Sequence, residues 1–377
     1  MASTITVRQL PAGRARPLID FPYKLYADNP HWIGMLRRDV AHTLSPRKNP
    51  FFEHGEIQPF VATNGRGEVV GTIAAIVNGM HLKKYDDGVG FFGFFECVED
   101  YDVAHALFEH ASDWLRSRGL TGVRGPTNPS LNDIAGLLVD GFDREPSLMM
   151  PYNPPYYSEY LERYGFERAM TMWAYYVHKK YVQMDKIRRG VDIVKRRNPS
   201  LSIRTLDLTR FDAEAKAILD IYNEAWANNW GHVPMTEREF AGLAKMMKQV
   251  VDPNIVFIVE DAGVPVAFTL ALPDMNKALR HVKDGRLLPK GLPTLLGYAK
   301  FGGIYECRNL LMGVMPAYRG RGLDAMMNLE LITRGPEHGY DACEMSWVLD
   351  SNQVLKNSLD AMGAVVDKQY ALFEKTL

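Results

Sequence analysis

The chain has 377 residues, a formal net charge of −1 at neutral pH, 46% hydrophobic residues and 24% charged residues. This balance excludes a strongly basic protein that nucleic acid or an anionic membrane attracts over its whole surface, and the length predicts two domains. No apolar run approaches the roughly 18 residues that a membrane-spanning helix needs, and the first ten residues lack the sections of a signal peptide. The three cysteines, at 97, 307 and 343, are scattered and predict neither disulfides nor a metal site. We therefore expect a cytoplasmic protein with no metal and no membrane partner.

In the first half of the chain, the sequence predicts a hairpin, a further strand and two helices that each end at a glycine. Apolar runs at 57–63 and 69–78 flank an Asn-Gly turn and predict a hairpin. A strand at 89–98 then leads into a helix that ends at Gly119. After a short strand near 120–124, a further helix ends at Gly165.

The second half repeats this order. Runs at 255–260 and 265–272 flank a glycine turn and predict another hairpin. A strand at 309–314 leads into a helix from Gly322 to Gly339, and the next helix ends at Gly363. The main difference is an insertion in the first half, around 126–146, which is rich in turn-forming and short polar residues. Such an insertion either lines a polar pocket or only caps the domain.

The most specific motif lies at 313–323, with the sequence GVMPAYRGRGL, between a predicted strand and a predicted helix. Gly320 and Gly322 let backbone N–H groups approach an anion closely, and the helix N-terminus offers free N–H groups and a partial positive charge. Arg319 and Arg321 can add charge-assisted hydrogen bonds. The segment predicts a phosphate-binding loop, although a glycine-rich turn by itself is a weak signal.

This loop resembles the acyl-CoA loop of the GNAT acetyltransferase superfamily, which has Arg or Gln, two residues, Gly, one residue, and then Gly or Ala. Arg319 and Gly322 fit this pattern, whereas Asp324 departs from it and would repel a pyrophosphate. The resemblance implies that acetyl-CoA or another acyl-CoA is the co-substrate. It assigns the acyl-CoA site to Gly313, Val314, Arg319, Gly320, Arg321, Gly322, Leu323 and Asn352.

The resemblance also implies catalytic and acceptor residues. Glutamate on the strand that precedes the loop is a frequent general base in the family, which points to Glu306; the alternative is a strand-end carboxylate without a role. The resemblance implies that Trp226, Asn229, Trp230 and Asn309 line the acceptor groove. The tryptophans fit core packing equally well. Seven residues after Asn352, where the family often has a tyrosine acid, the chain has Leu359.

The first half lacks a phosphate loop. Residues 96–102 contain four carboxylates, which suit a helix N-terminus and would repel a pyrophosphate. Asn153 and Tyr160 keep the spacing of the family's Asn and Tyr, and either contact a substrate or only pack the domain. We therefore expect no CoA at the usual place in this half.

Along nearly its full length the chain resembles tandem-GNAT proteins of an uncharacterised bacterial group, and more distantly mycothiol synthase and the Fem-type transferases. The implied fold is α/β, with two GNAT-like domains, each a mixed and mostly antiparallel sheet flanked by helices. We expect a degenerate domain at 1–178, a basic helical linker at 179–200 and a domain with the acyl-CoA loop at 201–377.

Three functions follow from these expectations. The first is transfer of an acyl group, most simply acetyl, from acyl-CoA to an amine of a small molecule or peptide, by direct attack. The second is a Fem-like transferase that uses aminoacyl-tRNA; the basic linker favours it, whereas the net charge gives no reason to expect nucleic acid. The third is a GNAT-like metabolite-binding protein without catalysis, which Asp324 and Leu359 favour. The sequence leaves the acceptor and a homodimer open.

Overall fold

The secondary structure follows the turns and glycines predicted from the sequence. The computed structural model describes residues 5–11 and 13–377, and the side chains of all of these except 299–301. Its strands are β1 (Thr6–Gln9), β2 (Gly55–Thr63), β3 (Val69–Asn78), β4 (Val89–Cys97), β5 (Gly122–Gly125), β6 (Thr127–Asn128), β7 (Ile134–Ala135), β8 (Leu137–Asp140), β9 (Glu167–His178), β10 (Leu201–Thr205), β11 (Val256–Asp261), β12 (Val264–Pro273), β13 (Glu306–Val314), β14 (Ala342–Leu349) and β15 (Val365–Thr376). Its α-helices are α1 (Arg16–Leu25), α2 (Arg37–Thr43), α3 (Gly79–Tyr85), α4 (Tyr101–Ser117), α5 (Tyr156–Tyr164), α6 (Met184–Arg197), α7 (Phe211–Ala225), α8 (Glu237–Met247), α9 (Asn276–Leu279), α10 (Leu292–Phe301), α11 (Leu323–Glu337) and α12 (Gln353–Met362).

These elements form two compact units that are not contiguous in sequence. Unit 1 contains the described residues up to Thr171, together with Leu279–Leu296 and Gln369–Leu377. Unit 2 contains Met172–Ala278 and Gly297–Lys368. The predicted linker at 179–200 therefore belongs to unit 2.

The sheet of unit 1 begins with antiparallel neighbours and continues with a parallel pair. Strands β1, β2, β3 and β4 are antiparallel neighbours in that order, and β4 pairs with β5 in parallel. Helix α4 packs on this sheet because its apolar face buries Leu107, Phe108 and Leu115 in the core cluster that includes Phe60 and Phe92. Burying these side chains is the main source of stability for the unit.

The sheet of unit 2 has the same arrangement. Strands β10, β11, β12 and β13 are antiparallel neighbours, and β13 pairs with β14 in parallel. Helix α11 begins at Leu323, one residue after the predicted start at Gly322, and buries its apolar residues against β11 and β12. The fold class predicted from the sequence, a mixed and mainly antiparallel sheet flanked by helices, is confirmed in each unit.

The two long strands β9 and β15 each contribute to both units. From Met172 onward, β9 pairs antiparallel with β14 in unit 2, where Trp173 lies opposite Val348. The last residues of β15 pair with β5 in unit 1, where Phe373 lies opposite Gly125. The C-terminal strand therefore completes the first unit, which the sequence analysis did not foresee.

Helix α6 carries the basic residues that the sequence placed in a linker. Its apolar side is packed, since Val191 is buried and Val194 lies beside Gly322 at the start of α11. Its arginines and lysines stay on the polar side, as in an ordinary amphipathic surface helix. Within the described parts of the chain, none of the helices combines the length and the apolar character needed to cross a bilayer.

Candidate functional site

The two central strands of unit 2 separate at one end. Strand β13 pairs with β14 from Glu306 to Asn309, opposite residues 342–345. Its pairing with β12 continues to Val314. In the described register, residues 311–314 therefore have a sheet neighbour on the β12 side alone. An open strand edge of this kind presents backbone N–H and C=O groups that can pair with an extended ligand.

Asn309 marks the point where the strands separate. Leu270 lies opposite Leu311 and the next residue of β12 lies opposite Asn309, so Leu310 forms a bulge. In the amide orientation that satisfies both of its polar atoms, which exchanges the nitrogen and oxygen positions, the buried Asn309 donates to the carbonyl oxygens of Leu270 (3.3 Å) and Leu311 (3.1 Å). Asn309 therefore holds the bulge that shapes the opening.

The glycine-rich loop closes the same end of β13. Residues 316–318 form a 3₁₀ turn, and Gly320 and Gly322 have φ values of +73° and +83°. Gly322 caps α11, so the N–H groups of the first turn of α11 point out of the helix end beside the loop. A Cβ at Gly320 would meet nothing within 4 Å, so the loop is open to solvent at that residue. The backbone has the form of an anion cradle.

The two arginines of the loop make contacts within the protein. The guanidinium of Arg319 donates to the carbonyl oxygen of Ala225 at the end of α7. Arg321 lies over the ring of Tyr318, with 4.7 Å from Cζ to the ring centroid. Tyr318 is itself fixed, since its hydroxyl donates to Asp261 at 2.8 Å. A phosphate must compete with the Ala225 carbonyl for Arg319.

Asp324 occupies the first turn of α11. A carboxylate there interacts favourably with the helix dipole. It also places a negative charge one residue past Leu323, whose N–H the resemblance assigns to the pyrophosphate. The residue therefore stabilises the helix and opposes anion binding.

The tryptophans predicted to line the acceptor groove lie at the end of α7. A Cβ built at Gly313 would approach the ring of Trp226 to 2.8 Å, so that ring lies directly beside the open part of β13. Its ring is also 6.0 Å from that of Phe268. Asn229 donates its N–H to the Trp226 carbonyl at 2.8 Å, and Trp230 is half-buried. Trp226 is thus both a packing residue and a wall of the opening.

Glu306 lies at the closed end of the strand pair, three residues before the separation begins. Its carboxylate is 3.0 Å from the Lys277 ammonium and accepts a hydrogen bond from the Tyr176 hydroxyl at 3.2 Å. Burial, and then the Glu306 charge, raise the pKa of Tyr176 above its ordinary value. Both contacts engage the carboxylate of Glu306 within the protein, and its role as a base remains a prediction.

Asn352 and Leu359, which follow β14, cap a helix and fill the core, respectively. The side chain of Asn352 caps α12 by accepting the N–H of Leu355 at 3.2 Å. Leu359 is fully buried in the core of unit 2. The side chain of residue 359 therefore offers no proton donor.

Unit 1 has the corresponding strand separation, but protein fills it. A Cβ at Gly93 would lie only 1.6 Å from the carbonyl oxygen of Thr127, and Asn128 accepts the N–H of Phe94 at 2.6 Å. These residues belong to the insertion at 126–146 that the sequence analysis noted. Asn153 holds the same insertion, since it accepts the N–H of Leu138 at 2.7 Å and donates to the carbonyl of Leu138 at 3.1 Å. Residues of the insertion therefore occupy the strand separation of unit 1, and the expectation of no CoA at this place stays a prediction.

Tyr160 is buried among aromatic rings, 5.5 Å from Tyr101 and 5.2 Å from Tyr156 between centroids. Burial raises the pKa of its hydroxyl. These contacts are those of a core residue, and its assignment to substrate is left as a prediction.

Glu96 on β4 is an acid of unit 1 whose surroundings its local sequence does not reveal. Its Oε2 accepts hydrogen bonds from the hydroxyls of Tyr26 (2.6 Å) and Tyr157 (2.8 Å). Burial raises the pKa of Glu96 to about 7, although both hydroxyls act to lower it. The ring of Tyr26 stacks on Trp32 at 5.0 Å. A carboxyl group that titrates near neutral pH among aromatic rings is a candidate functional group. The sequence showed it only as one of four neighbouring carboxylates.

A second group that the sequence did not reveal is a buried polar network where β13 and β14 run together. Arg308 donates to the Ser346 hydroxyl at 2.9 Å, and that hydroxyl donates to Glu344 at 2.7 Å. Lys368 donates to the other oxygen of Glu344 at 3.1 Å. The network fixes the strand pair just before it opens.

No family model matches the chain. Over 367 residues the chain is 34% identical to Protein YghO of Escherichia coli strain K12, covering 96% of this chain and 93% of that protein. Over 369 residues it is 36% identical to the Bacterial ceramide synthase of Caulobacter vibrioides, covering 95% and 94%.

Solved structures with the same fold are more distant in sequence. A tandem GNAT protein from the clavulanic acid biosynthesis pathway matches with a TM-score of 0.57 at 11% identity, over 99% of this chain and 98% of that one. The GCN5-related glucosamine N-acetyltransferase region of a fungal multi-domain GH3 β-N-acetylglucosaminidase matches all of this chain and 38% of that longer one, with a TM-score of 0.60 at 13% identity. At these identities the likeness shows the fold alone, and the tandem-GNAT resemblance is confirmed at that level.

Proposed function

We propose that the protein is an N-acyltransferase that uses an acyl-CoA thioester, because it belongs to the family of Protein YghO and the Bacterial ceramide synthase and has the tandem-GNAT fold. The observation that carries this proposal is the opening between β13 and β14, with the glycine-rich loop at its end. The opening offers a free strand edge for an extended chain of amides, and the loop offers helix N–H groups for phosphates.

The chain's own residues have distinct parts in donor binding. Backbone groups of Gly313 and Val314 pair with the pantetheine chain, and the N–H groups of Gly320 to Leu323 hold the pyrophosphate. Arg319 leaves the Ala225 carbonyl and turns to a phosphate, which is the stronger acceptor because it is charged. The fit is incomplete at Asp324, so we expect donor affinity below that of a loop with Gly or Ala at this position.

The acceptor follows from chemistry and from the relatives. A ceramide is a long-chain amino alcohol whose nitrogen carries a fatty acyl group, and one relative of 36% identity is named for its synthesis. We propose that the acceptor here is also a primary amine on an alkyl chain, and that the donor carries a fatty acyl group. The apolar ring of Trp226 beside Gly313 suits such a ligand.

The reaction is a direct transfer. The neutral amine attacks the thioester carbonyl, a C–N bond forms, the C–S bond breaks, and the sulfur leaves as a thiolate that takes a proton. The amine loses one proton, for which Glu306 remains the candidate acceptor. Leu359 supplies none, so solvent or another residue of unit 2 protonates the sulfur.

The test separates binding from transfer. We expect acetyl-CoA and free CoA to raise the melting temperature of the wild type, by about 2.7 kcal/mol of stabilisation at 100 times the Kd. We expect the double variant Arg319→Ala with Arg321→Ala to lose this effect. The matched control is Arg188→Ala with Arg189→Ala, an exposed arginine pair on α6 of the same unit, which should keep it.

Transfer is then measured by mass spectrometry with palmitoyl-CoA and sphinganine, and the amide is the expected product. CoA binding without amide from this or shorter amines would favour a metabolite-binding protein. If no CoA species stabilises the wild type, the donor proposal is wrong.

A further inference from the structure

The connection between β12 and β13 in unit 2 is much longer than its counterpart in unit 1. Residues 274–305 join these strands, whereas residues 79–88 join the corresponding strands β3 and β4. The central part of the long connection, 279–296, belongs to unit 1. We call this part the connection arm.

The base of the connection arm is firmly held. Arg37 donates its backbone N–H to the Gly285 carbonyl at 2.9 Å and its side-chain Nε to the Asp284 carbonyl at 2.7 Å. Arg280 forms an ion pair with Glu145 at 2.9 Å. The left-handed Gly285 packs so closely on Tyr23 that no Cβ could fit. Because these contacts fix the base of the connection arm, the rest of the arm extends from a fixed point on unit 1.

The outer part of the connection arm exposes large apolar side chains. Leu288, Leu292 and Leu296 are 70%, 41% and 59% exposed. Leu292 and Leu296 are four residues apart in α10 and so lie on one face of it, and Leu288 precedes them in the turn that enters the helix. We call these three residues the leucine tip. Three neighbouring exposed leucines are costly in water unless something covers them.

The charges around the leucine tip indicate what covers it. The arm carries four cationic side chains and a single carboxylate, in a chain of net charge −1. Lys283, Arg286 and Lys290 are exposed close to the leucines in sequence. A two-fold contact between copies through this surface would bring these cations together, which disfavours a second copy. An apolar tip with a basic surround matches the surface of an anionic bilayer.

We propose that the connection arm docks the protein on anionic lipid membranes, with the leucine tip in the headgroup region and Lys283, Arg286 and Lys290 on lipid phosphates. The net charge of the whole chain led the sequence analysis to expect no membrane partner. A local basic and apolar surface can bind where the average charge gives no attraction, because the Debye length in physiological salt is about 8 Å. This inference concerns the surface alone and does not depend on the proposed acyl transfer.

Vesicle co-sedimentation of the full chain tests the proposal. We expect binding to vesicles of phosphatidylcholine mixed with phosphatidylglycerol, much weaker binding to phosphatidylcholine alone, and weakening by salt. Leu288→Ser with Leu292→Ser and Leu296→Ser should reduce binding at least about tenfold. Neutralising Lys283, Arg286 and Lys290 to Gln should reduce it by roughly fivefold for each charge.

The matched control is Val264→Ser with Val354→Ser, two exposed apolar residues of unit 2, which should bind as the wild type does. All these positions are exposed, so the variants should melt like the wild type. Two results would overturn the proposal: a wild type that does not sediment with anionic vesicles, or a leucine-tip variant that sediments as well as the wild type. Dimerisation of the wild type that the leucine-tip variant abolishes, without vesicle binding, would also overturn it in favour of a second copy.

Discussion

The ammonium of Lys368 lies 3.1 Å from a carboxylate oxygen of Glu344, and both side chains are almost completely buried in unit 2. Burial alone would lower the pKa of Lys368, but the neighbouring carboxylates of Glu344 and Asp367 hold it above its ordinary value. The pair therefore depends on both charges being present, close to the point where β13 and β14 separate.

Removing one partner of this pair should be costly. We expect Lys368→Met to lower the free energy of unfolding by about 3 kcal/mol, because it removes the ammonium 3.1 Å from the buried Glu344 carboxylate, and the Arg308 guanidinium, 4.0 Å from the other oxygen, compensates for it incompletely. Adding Glu344→Gln should recover a large part of this loss. Urea denaturation measures both. The control is Lys216→Met, which breaks an exposed ion pair with Asp220 and should change stability by less than about 1 kcal/mol. Equal effects of the two lysine variants would contradict a structural role for the buried pair.

The raised pKa of Lys368 also has a consequence for pH. Its contribution to stability should be complete below the ordinary lysine pKa of 10.5 and should be lost as pH rises through the higher pKa of the folded state. The wild type should therefore lose stability in strong base more steeply than the Lys368→Met, Glu344→Gln double variant. Unfolding free energies of the two proteins, compared across the alkaline range, measure the difference.

Glu96 should give a pH dependence of the same sign in a lower pH range. Its pKa is about 7 in the folded protein and near 4.5 in the unfolded chain, so between these values the folded state binds more protons. Stability should fall as pH rises through this range, by up to about 3 kcal/mol, and Glu96→Gln should remove the fall. The control is Glu99→Gln, an exposed neighbour, which should retain it. The same pH dependence in wild type and Glu96→Gln would show that the carboxyl group is not held as the structure describes.

The repeat of the fold could be predicted because the glycines that end the helices are recognisable in the local sequence. Gly119, Gly165, Gly339 and Gly363, which end the predicted helices, all have positive φ values, which glycine adopts without strain. The loop at 313–323 was recognisable for the same reason, since its glycines, arginines and following helix are contiguous in the sequence.

The remaining features depend on contacts between residues that are far apart in the sequence, and such contacts produce no local sequence pattern. Glu96 is held by Tyr26 and Tyr157, which are 70 and 61 residues away, so its burial could not be inferred from its acidic neighbours. The positions of β9 and β15 depend on which strand edges remain open after each sheet forms. Leu359 and Asn352 were informative only through the family resemblance, and the structure shows the helix-core and cap contacts that explain them.

Two glycines of the loop provide a matched test of its packing. Gly320 and Gly322 have similar positive φ values, but a Cβ at Gly322 would lie 2.5 Å from the Val194 side chain, whereas one at Gly320 meets nothing within 4 Å. We expect Gly320→Ala to cost about 1 kcal/mol from backbone strain alone. Gly322→Ala should cost at least about 1 kcal/mol more, through the clash with α6. Thermal or urea unfolding measures both.

The clash can be isolated in a second background. Adding Val194→Ala should bring the cost of Gly322→Ala close to that of Gly320→Ala, while the cost of Gly320→Ala should stay unchanged. If Gly322→Ala costs no more than Gly320→Ala in the wild type, then α6 does not pack on the start of α11 as the structure describes.

Asp324 provides a test in which a substitution should improve binding. Its carboxylate stabilises the N-terminus of α11 by about 0.3–1 kcal/mol but repels an anion at the loop. We expect Asp324→Asn to lower the melting temperature slightly and to raise CoA affinity by roughly fivefold, most clearly at low ionic strength. The matched control is Asp212→Asn, an acid in the first turn of α7, which should show the stability loss without the gain in affinity. Isothermal titration with CoA at two salt concentrations measures the effect. Unchanged affinity would mean that the pyrophosphate does not bind at the start of α11, because a charge removed beside a bound anion must alter its binding.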